Sequence, residues 1–164
     1  MPITNAKELI VYMLSELRHG AERSGRILEE LGGAAQNPDI QEALEARGMI
    51  ASQILARLDE CFKLIGEKPV KVNERLHQVF LEDFRRELNE IQLPLARKLF
   101  VLAKASHLGH LQTAGYMSLI AVSDTLGHPG VGTLLESCLA DKLAFAERTK
   151  GLIRYHIQQK VSAA

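Results

Sequence analysis

Apolar residues recur every three or four positions through most of the chain, which is the spacing of one face of an α-helix. The first such stretch begins after Asn5, a residue that caps helices, and ends near Gly32 and Gly33. The second begins at the Asn37–Pro38 pair and ends at Gly66. No stretch of useful length alternates apolar and polar residues as a half-buried strand does. The pattern therefore predicts an all-α protein.

Three further helical stretches follow the first two. A short one covers about 74–91, with Asn73 as its expected cap. The third long stretch begins at Pro94 and runs to a turn at 127–130, and a fourth long helix covers about 131–160. Four long helices and one short helix predict a four-helix bundle, with the short helix crossing over between the second and third long helices.

Composition narrows the class of protein further. The 164 residues are 46% hydrophobic and 24% charged, as in an ordinary globular protein, so we expect 1–164 to form a single domain with a sizeable core. Twenty basic residues balance twenty acidic ones, which argues against nucleic acid or an anionic membrane as a partner. The chain shows neither a signal-peptide pattern nor a run of ~20 apolar residues. We therefore expect a cytoplasmic protein.

A few residues have side chains that carry chemistry. Cys61 and Cys138 fall within helical apolar patterns, so we expect buried, reduced thiols. His107 and His110 are spaced so that a helix can present both imidazoles to one ion. His110 falls on the apolar seam and His107 on its flank, so we expect a hydrogen-bonded core histidine and a boundary histidine. A single zinc or nickel ion held by both and an acid is the alternative. We expect Tyr116 to be a core tyrosine rather than a redox group.

Several short motifs occur in an order typical of one family. They are Glu16-Leu17 with Ala21-Glu22, Arg57-Leu58 with Phe62 and Leu64 to Gly66, His110 with Tyr116 and Leu126-Gly127, and Leu134-Leu135 with Leu139. On these residues the chain resembles the ferritin-like YciE/YciF family of bacterial stress-associated proteins across nearly its whole length. The resemblance implies a ferritin-like bundle and a homodimer that forms through helix faces.

The family is similar to di-metal carboxylate proteins, in which glutamates and histidines from four helices converge on a metal pair. In this chain only Glu22 and His110 match the ligands that the resemblance implies. The other implied ligand positions hold Arg47, Gly109, Gln112, Asp141 and Lys142. A di-iron or di-manganese centre takes about six nitrogen and oxygen ligands, so we expect no metal cofactor and no catalytic residue. Any metal that does bind would have Glu22, His110, Asp141 and His107 as its candidate ligands.

The replacements suggest how the interior charge is balanced. Glu22 and Arg47 lie at similar distances before and after the first turn, so antiparallel helices would place them at nearly the same height. We therefore predict a partly buried Glu22–Arg47 ion pair, with His110 nearby and Lys142 joining from the fourth helix. An unpaired charge there would cost several kcal/mol, so Arg47 needs a partner. Counting back from the last turn places Tyr116, rather than His110, level with Lys142.

Three functions follow from these residues and the resemblance. The favoured one is a non-catalytic structural or stress-associated interaction protein, acting as a homodimer or with an unidentified protein partner. The alternative is an oxidase or ferroxidase-like protein that binds iron or manganese through the reduced ligand set. A third is a protein that binds a small apolar ligand or lipid between its helices, where Ser106, Gly109 and Thr113 are small.

Overall fold

Six α-helices make up the part of the chain that the structure, a computed structural model, describes: residues 3–161, with side chains through residue 159. They are α1 (Ala6–Ala34), α2 (Pro38–Ile65), α3 (Leu76–Leu88), α4 (Pro94–His110), α5 (Thr113–Thr125) and α6 (Pro129–Val161). This range contains no strand, so the all-α prediction is confirmed. None of the described helices combines the length and the apolar character that a membrane span requires.

The helices pack as a four-helix bundle. A short turn joins α1 to α2, and α6 packs against α2 and against both α4 and α5. Helices α4 and α5 follow each other in the chain and both pack on α1, so together they form the third helix of the bundle. The short helix α3 contacts α1 and α4 and connects the two halves. The predicted bundle with a crossover helix is therefore confirmed.

Three of the predicted helix ends are confirmed, two of them set by side-chain caps and one by a glycine. The Asn5 side chain accepts a hydrogen bond from the Glu8 amide at 2.9 Å, and Asn37 accepts one from the Ile40 amide at 3.0 Å. Each bond satisfies an amide that has no partner in the first turn of its helix. Gly66 ends α2 with φ 68°, the left-handed conformation that glycine adopts at little cost.

Two other helix ends differ from the prediction. Helix α1 continues through Gly32 to Ala34, and the left-handed residue of the turn is Gln36, with φ 51°. Helix α3 is not capped by Asn73. Because it begins at Leu76, the amide that needs a partner belongs to His77, and the Glu74 carboxylate accepts its hydrogen bond at 3.2 Å.

The third helix of the bundle is broken, whereas the sequence pattern predicts a continuous one. Gln112 adopts φ 66°, which separates α4 from α5. Its side-chain Nε2 donates to the backbone carbonyl of Glu16 on α1 at 3.0 Å. The Gln112 amide occupies the space beside Gly20, where a Cβ would collide with it. On either side of the break, His110 at the end of α4 is exposed, whereas Tyr116 on α5 is completely buried, as predicted.

The core consists of two apolar clusters separated by a polar layer. One cluster includes Leu14, Leu17, Leu58, Cys61, Tyr116, Leu135 and Cys138. The other includes Leu28, Leu31, Leu44, Phe80, Phe84, Leu102 and Phe145. Ser24 on α1, Arg47 on α2 and Lys142 on α6 lie between the two clusters along their helices, and all three are buried. We call these three residues the polar layer.

Candidate functional site

The polar layer surrounds a small cavity in the bundle. Arg47 and Lys142 are only 5% and 6% exposed, and each lies on the face of its helix that carries buried apolar residues. Together with Ser24, Gly109 and Tyr116 they line a cavity of about 20 Å³. Two cations therefore occupy the middle of the bundle, at the level where the resemblance implies metal ligands.

Arg47 is held by a carbonyl oxygen and an aromatic ring. Its Nη1 donates to the backbone carbonyl of Asp141 at 3.1 Å, and the guanidinium lies over the Phe145 ring, 4.5 Å from the centroid. Burial lowers the pKa of Arg47 to about 10, and the Asp141 charge partly opposes that change. The guanidinium therefore remains charged at neutral pH.

Lys142 has no carboxylate within ion-pair distance among the described side chains. Its Nζ lies 5.7 Å from the centroid of the Tyr116 ring, the residue that counting from the last turn places level with it. Burial, and then the neighbouring Arg47 charge, lower the pKa of Lys142 to about 8. Lys142 is therefore a buried cation whose described neighbours leave its charge uncompensated.

Phe145 fills the space at Gly109, one of the implied glutamate positions. A Cβ at Gly109 would lie 3.0 Å from Cδ1 of Phe145, so a side chain there would have to displace the ring. The cavity beside it, at about 20 Å³, is far smaller than the ~300 Å³ of a small ligand pocket. The predicted apolar ligand site between the helices at Gly109 therefore has no room. Thr113 instead lines an open groove on the surface.

Glu22 lies on the surface and does not form the predicted ion pair with Arg47. Its carboxylate is 45% exposed and interacts with Arg18 at 3.8 Å and Arg26 at 3.6 Å, both on its own helix. Ala21 and Ser24 occupy the inward face of α1, so Glu22, one residue further round the helix from Ala21, points away from the interior. The predicted network of Glu22, Arg47, His110 and Lys142 is thus reduced to its two cations.

Asp141 is already engaged at the edge of the polar layer. Its carboxylate binds Nη1 of Arg57 at 2.5 Å, and this hydrogen bond raises the pKa of Arg57. Its backbone carbonyl accepts from Arg47. Asp141 therefore joins two arginines of α2 to α6, and it is absent from the lining of the cavity.

His107 and His110 lie in a surface groove rather than in the bundle interior. Both are exposed, and His107 packs edge-on against Phe80 of α3, with ring centroids 5.3 Å apart. The expected core position of His110 is wrong because α4 ends there and the break at Gln112 turns the chain. The groove measures about 680 Å³ and includes Glu74 and Glu16, but neither Glu22 nor Asp141. Within residues 3–159, no three side chains of histidine, cysteine, aspartate or glutamate are placed to hold a metal ion.

A buried chain of hydrogen bonds links α3 to α1. Ser24 Oγ lies 3.1 Å from Nε2 of His77, and Nδ1 of His77 lies 3.0 Å from the Glu74 carboxylate. Burial lowers the pKa of His77, although Glu74 opposes the change. The order of groups resembles a catalytic triad, but Ser24 is buried beside a cavity too small for a substrate. The chain of bonds therefore serves to attach the crossover helix to the bundle.

Sequence reasoning did not identify the link through His77. Two signals were present: Ser24 interrupts an otherwise apolar seam, and Glu74 lies three residues before His77, within side-chain reach on a helix. The prediction for the cysteines is confirmed, since Cys61 and Cys138 are buried and form no disulfide bond. Burial raises their pKa values to about 12 and about 11, so both thiols stay protonated.

Comparison with known proteins places these features in a family. Residues 5–162 match the family described as "Domain of unknown function (DUF892)". The chain is 22% identical to the protein YciF of Escherichia coli K12 over 148 residues, covering 88% of this chain and 87% of YciF.

Three solved structures share the fold. The stress protein YciF of E. coli superposes with a TM-score of 0.87 at 17% identity, covering 95% of this chain and 99% of that one. YcfI of Rhodopseudomonas palustris, provisionally assigned as a structural protein, superposes with a TM-score of 0.84 at 23% identity. The match covers 90% of this chain and 94% of YcfI. A protein of Xanthomonas campestris superposes with a TM-score of 0.70 at 14% identity, and the match covers 95% of this chain and 99% of that one. The chain therefore belongs to the DUF892 family and is a protein of the YciE/YciF type.

Proposed function

We propose that this chain is a non-catalytic, structural and stress-associated protein, a ferritin-like bundle in which fixed positive side chains occupy the place of a metal pair. The observation that supports it is the burial of Arg47 and Lys142 around one small cavity at mid-height of the bundle. Among the relatives, YciF is called a stress protein, and YcfI is provisionally assigned a structural role. Both descriptions are compatible with a bundle that performs no chemistry.

Electrostatics disfavours a divalent ion in this cavity. At an effective dielectric constant of ~20, a divalent cation about 5 Å from one fixed positive charge is repelled by roughly 7 kcal/mol. Arg47 and Lys142 would both contribute, and none of the side chains that line the cavity is acidic. The oxidase alternative would therefore need to assemble Glu22, His110 and Asp141 from three separate parts of the surface.

Metal analysis tests the proposal. Untagged protein incubated without oxygen with Fe(II) or Mn(II), then desalted, is expected to retain far less than one metal ion per chain. Its melting temperature is expected to be the same with and without EDTA, because a ligand that does not bind the folded state cannot stabilise it. Elemental analysis of the protein and a thermal melt measure both quantities.

A double variant supplies the matched comparison. Arg47→His with Lys142→Glu removes both interior cations and restores residue types that the family resemblance implies at these positions. This variant is expected to retain more metal than the unaltered protein in the same assay. Stoichiometric iron or manganese in the unaltered protein would contradict the proposal and favour the metal-binding alternative.

We also propose a cytoplasmic homodimer, on the basis of the family resemblance. Leu76 and Val79 are partly exposed on one face of α3, and Met117 is exposed on α5, which supplies apolar surface for such a contact. Light scattering after size-exclusion chromatography is expected to give the mass of two chains. A mass of one chain at every concentration tested would rule the dimer out.

A further inference from the structure

We propose that the polar layer binds one small monovalent anion, of the halide class, in the cavity between Arg47 and Lys142. This inference rests on the same interior cations as the proposed function. It goes beyond that function by assigning a ligand to a site that, in our proposal, has lost its metals.

The first support is the charge around the cavity. Arg47 and Lys142 contribute two positive charges, and none of the described side chains that line the cavity is acidic. The nearest compensating carboxylate, on Asp141, is already bound to Arg57. Two buried cations whose nearest carboxylate is already bound elsewhere are costly, and a bound anion would lower that cost.

The second support is the hydrogen-bond donors that remain unused. Lys142 is nine-tenths buried, and its ammonium has no hydrogen bond to any described residue, although it has three protons to donate. Arg47 donates one hydrogen bond and has further N–H groups available. Tyr116 is fully buried and lines the same cavity, with its ring 5.7 Å from Nζ of Lys142.

The size and lining of the cavity select the ligand. A volume of about 20 Å³ accommodates a single particle of the size of a water molecule or a halide ion. Phosphate and organic acids are too large for it. Leu28, Ile54, Leu108 and Phe145 also line the cavity, and this apolar lining suits a halide better than a strongly hydrated anion.

The charged state of Lys142 gives the site a pH dependence. The titratable groups that face Lys142 are Arg47 on α2, His77 on α3, Tyr116 on α5 and Cys138 on its own helix. Burial and Arg47 lower the pKa of Lys142 to about 8, and an anion beside the ammonium would oppose both effects. Anion binding is therefore expected to weaken as the pH rises above about 8.

A thin wall separates the cavity from the surface. Ala21 and Ala51 line both the cavity and an outer groove of about 430 Å³ between α1 and α2. The outer groove carries Glu22, Glu29 and Glu45, which repel anions. Exchange is therefore expected to be slow, and samples should be equilibrated for hours before measurement.

Thermal melts in two salts at equal ionic strength test the site. The melting temperature is expected to rise and saturate as sodium chloride replaces sodium gluconate, because gluconate is too large for the cavity. Lys142→Met is expected to abolish this rise and Arg47→Met to reduce it. Lys150→Met, the same change at an exposed, ion-paired position of α6, is expected to keep it.

Bromide provides a second measurement that does not depend on stability. Crystals grown with bromide are expected to show one anomalous peak between Lys142 Nζ and the Arg47 guanidinium. An equal response to both salts, a chloride response that survives in Lys142→Met, or bromide only at the protein surface would each overturn the anion site. Those results would leave the metal-free function intact, whereas stoichiometric iron or manganese in the unaltered protein would overturn the proposed function.

Discussion

Replacing Lys142 with methionine is expected to stabilise the protein, by about 1–3 kcal/mol at pH 7 in chloride-free buffer. The drop in the pKa of Lys142 from 10.5 to about 8 corresponds to a folding penalty of roughly 3 kcal/mol. Methionine keeps a long, flexible side chain in the same space and removes the charge. The loss of the contact between Lys142 and the Tyr116 ring offsets part of the gain. Urea unfolding measures the difference, since urea adds no chloride.

The pH dependence of this gain identifies its cause. Between pH 8 and 10.5 the unfolded chain keeps a proton on Lys142 that the folded chain has released, so the wild-type protein gains stability as the pH rises through this window. The advantage of Lys142→Met should therefore shrink across the same range. Lys150→Met, at an exposed position of α6, is expected to change stability by less than about 0.5 kcal/mol at every pH. A destabilised Lys142→Met protein would show that the ammonium has a compensating partner.

Replacing His77 with alanine is expected to destabilise the protein by about 2–4 kcal/mol. His77 is completely buried and bridges Ser24 on α1 to Glu74 at the start of α3. The change leaves a cavity and removes a hydrogen-bond partner from the Ser24 hydroxyl and from the Glu74 carboxylate. The Glu74 side chain is only 8% exposed. Urea unfolding at pH 7.5 measures the loss. His110→Ala removes an exposed imidazole and is expected to change stability by less than about 0.5 kcal/mol.

Acidification should narrow the difference between the wild-type protein and His77→Ala. Burial lowers the pKa of His77 below its ordinary value of 6.5, so below pH 6.5 the unfolded chain binds a proton that the folded chain does not. The wild-type protein therefore loses stability as the pH falls below 6.5, and the variant lacks this contribution. A constant difference between the two proteins from pH 7.5 to pH 5 would show that His77 is charged in the folded state.

The fold was predictable because its signals are local and repeated. Asparagine caps, the stop at Gly66 and a continuous apolar seam defined most of the first two helices, and the structure confirms them. The stop predicted at Gly32 and Gly33 is wrong, because α1 continues to Ala34. The position of Arg47 within the seam of α2 indicated a buried cation. Counting from the last turn placed Lys142 level with Tyr116, where the structure finds it. Each inference needed only the helical repeat.

The partners of the polar residues were harder to predict, because they depend on rotation and on contacts distant in the chain. Adjacent residues of a helix lie about 100° apart, so Ala21 faces the interior while Glu22 faces Arg18 and Arg26. The resemblance identified Glu22 as a retained ligand type without showing which way it points. Arg47 instead uses the backbone carbonyl of Asp141, an acceptor that every residue offers and no sequence pattern reveals.

The contact between Gly20 and Gln112 has a consequence for how members of this family can vary. The Gln112 amide fills the space that a side chain at Gly20 would need, and its hydrogen bond to the Glu16 carbonyl fastens the break between α4 and α5 onto α1. A residue larger than glycine at position 20 is therefore compatible only with a smaller or redirected side chain at position 112. In relatives that keep the kink, the two positions should covary, although they lie far apart in the sequence.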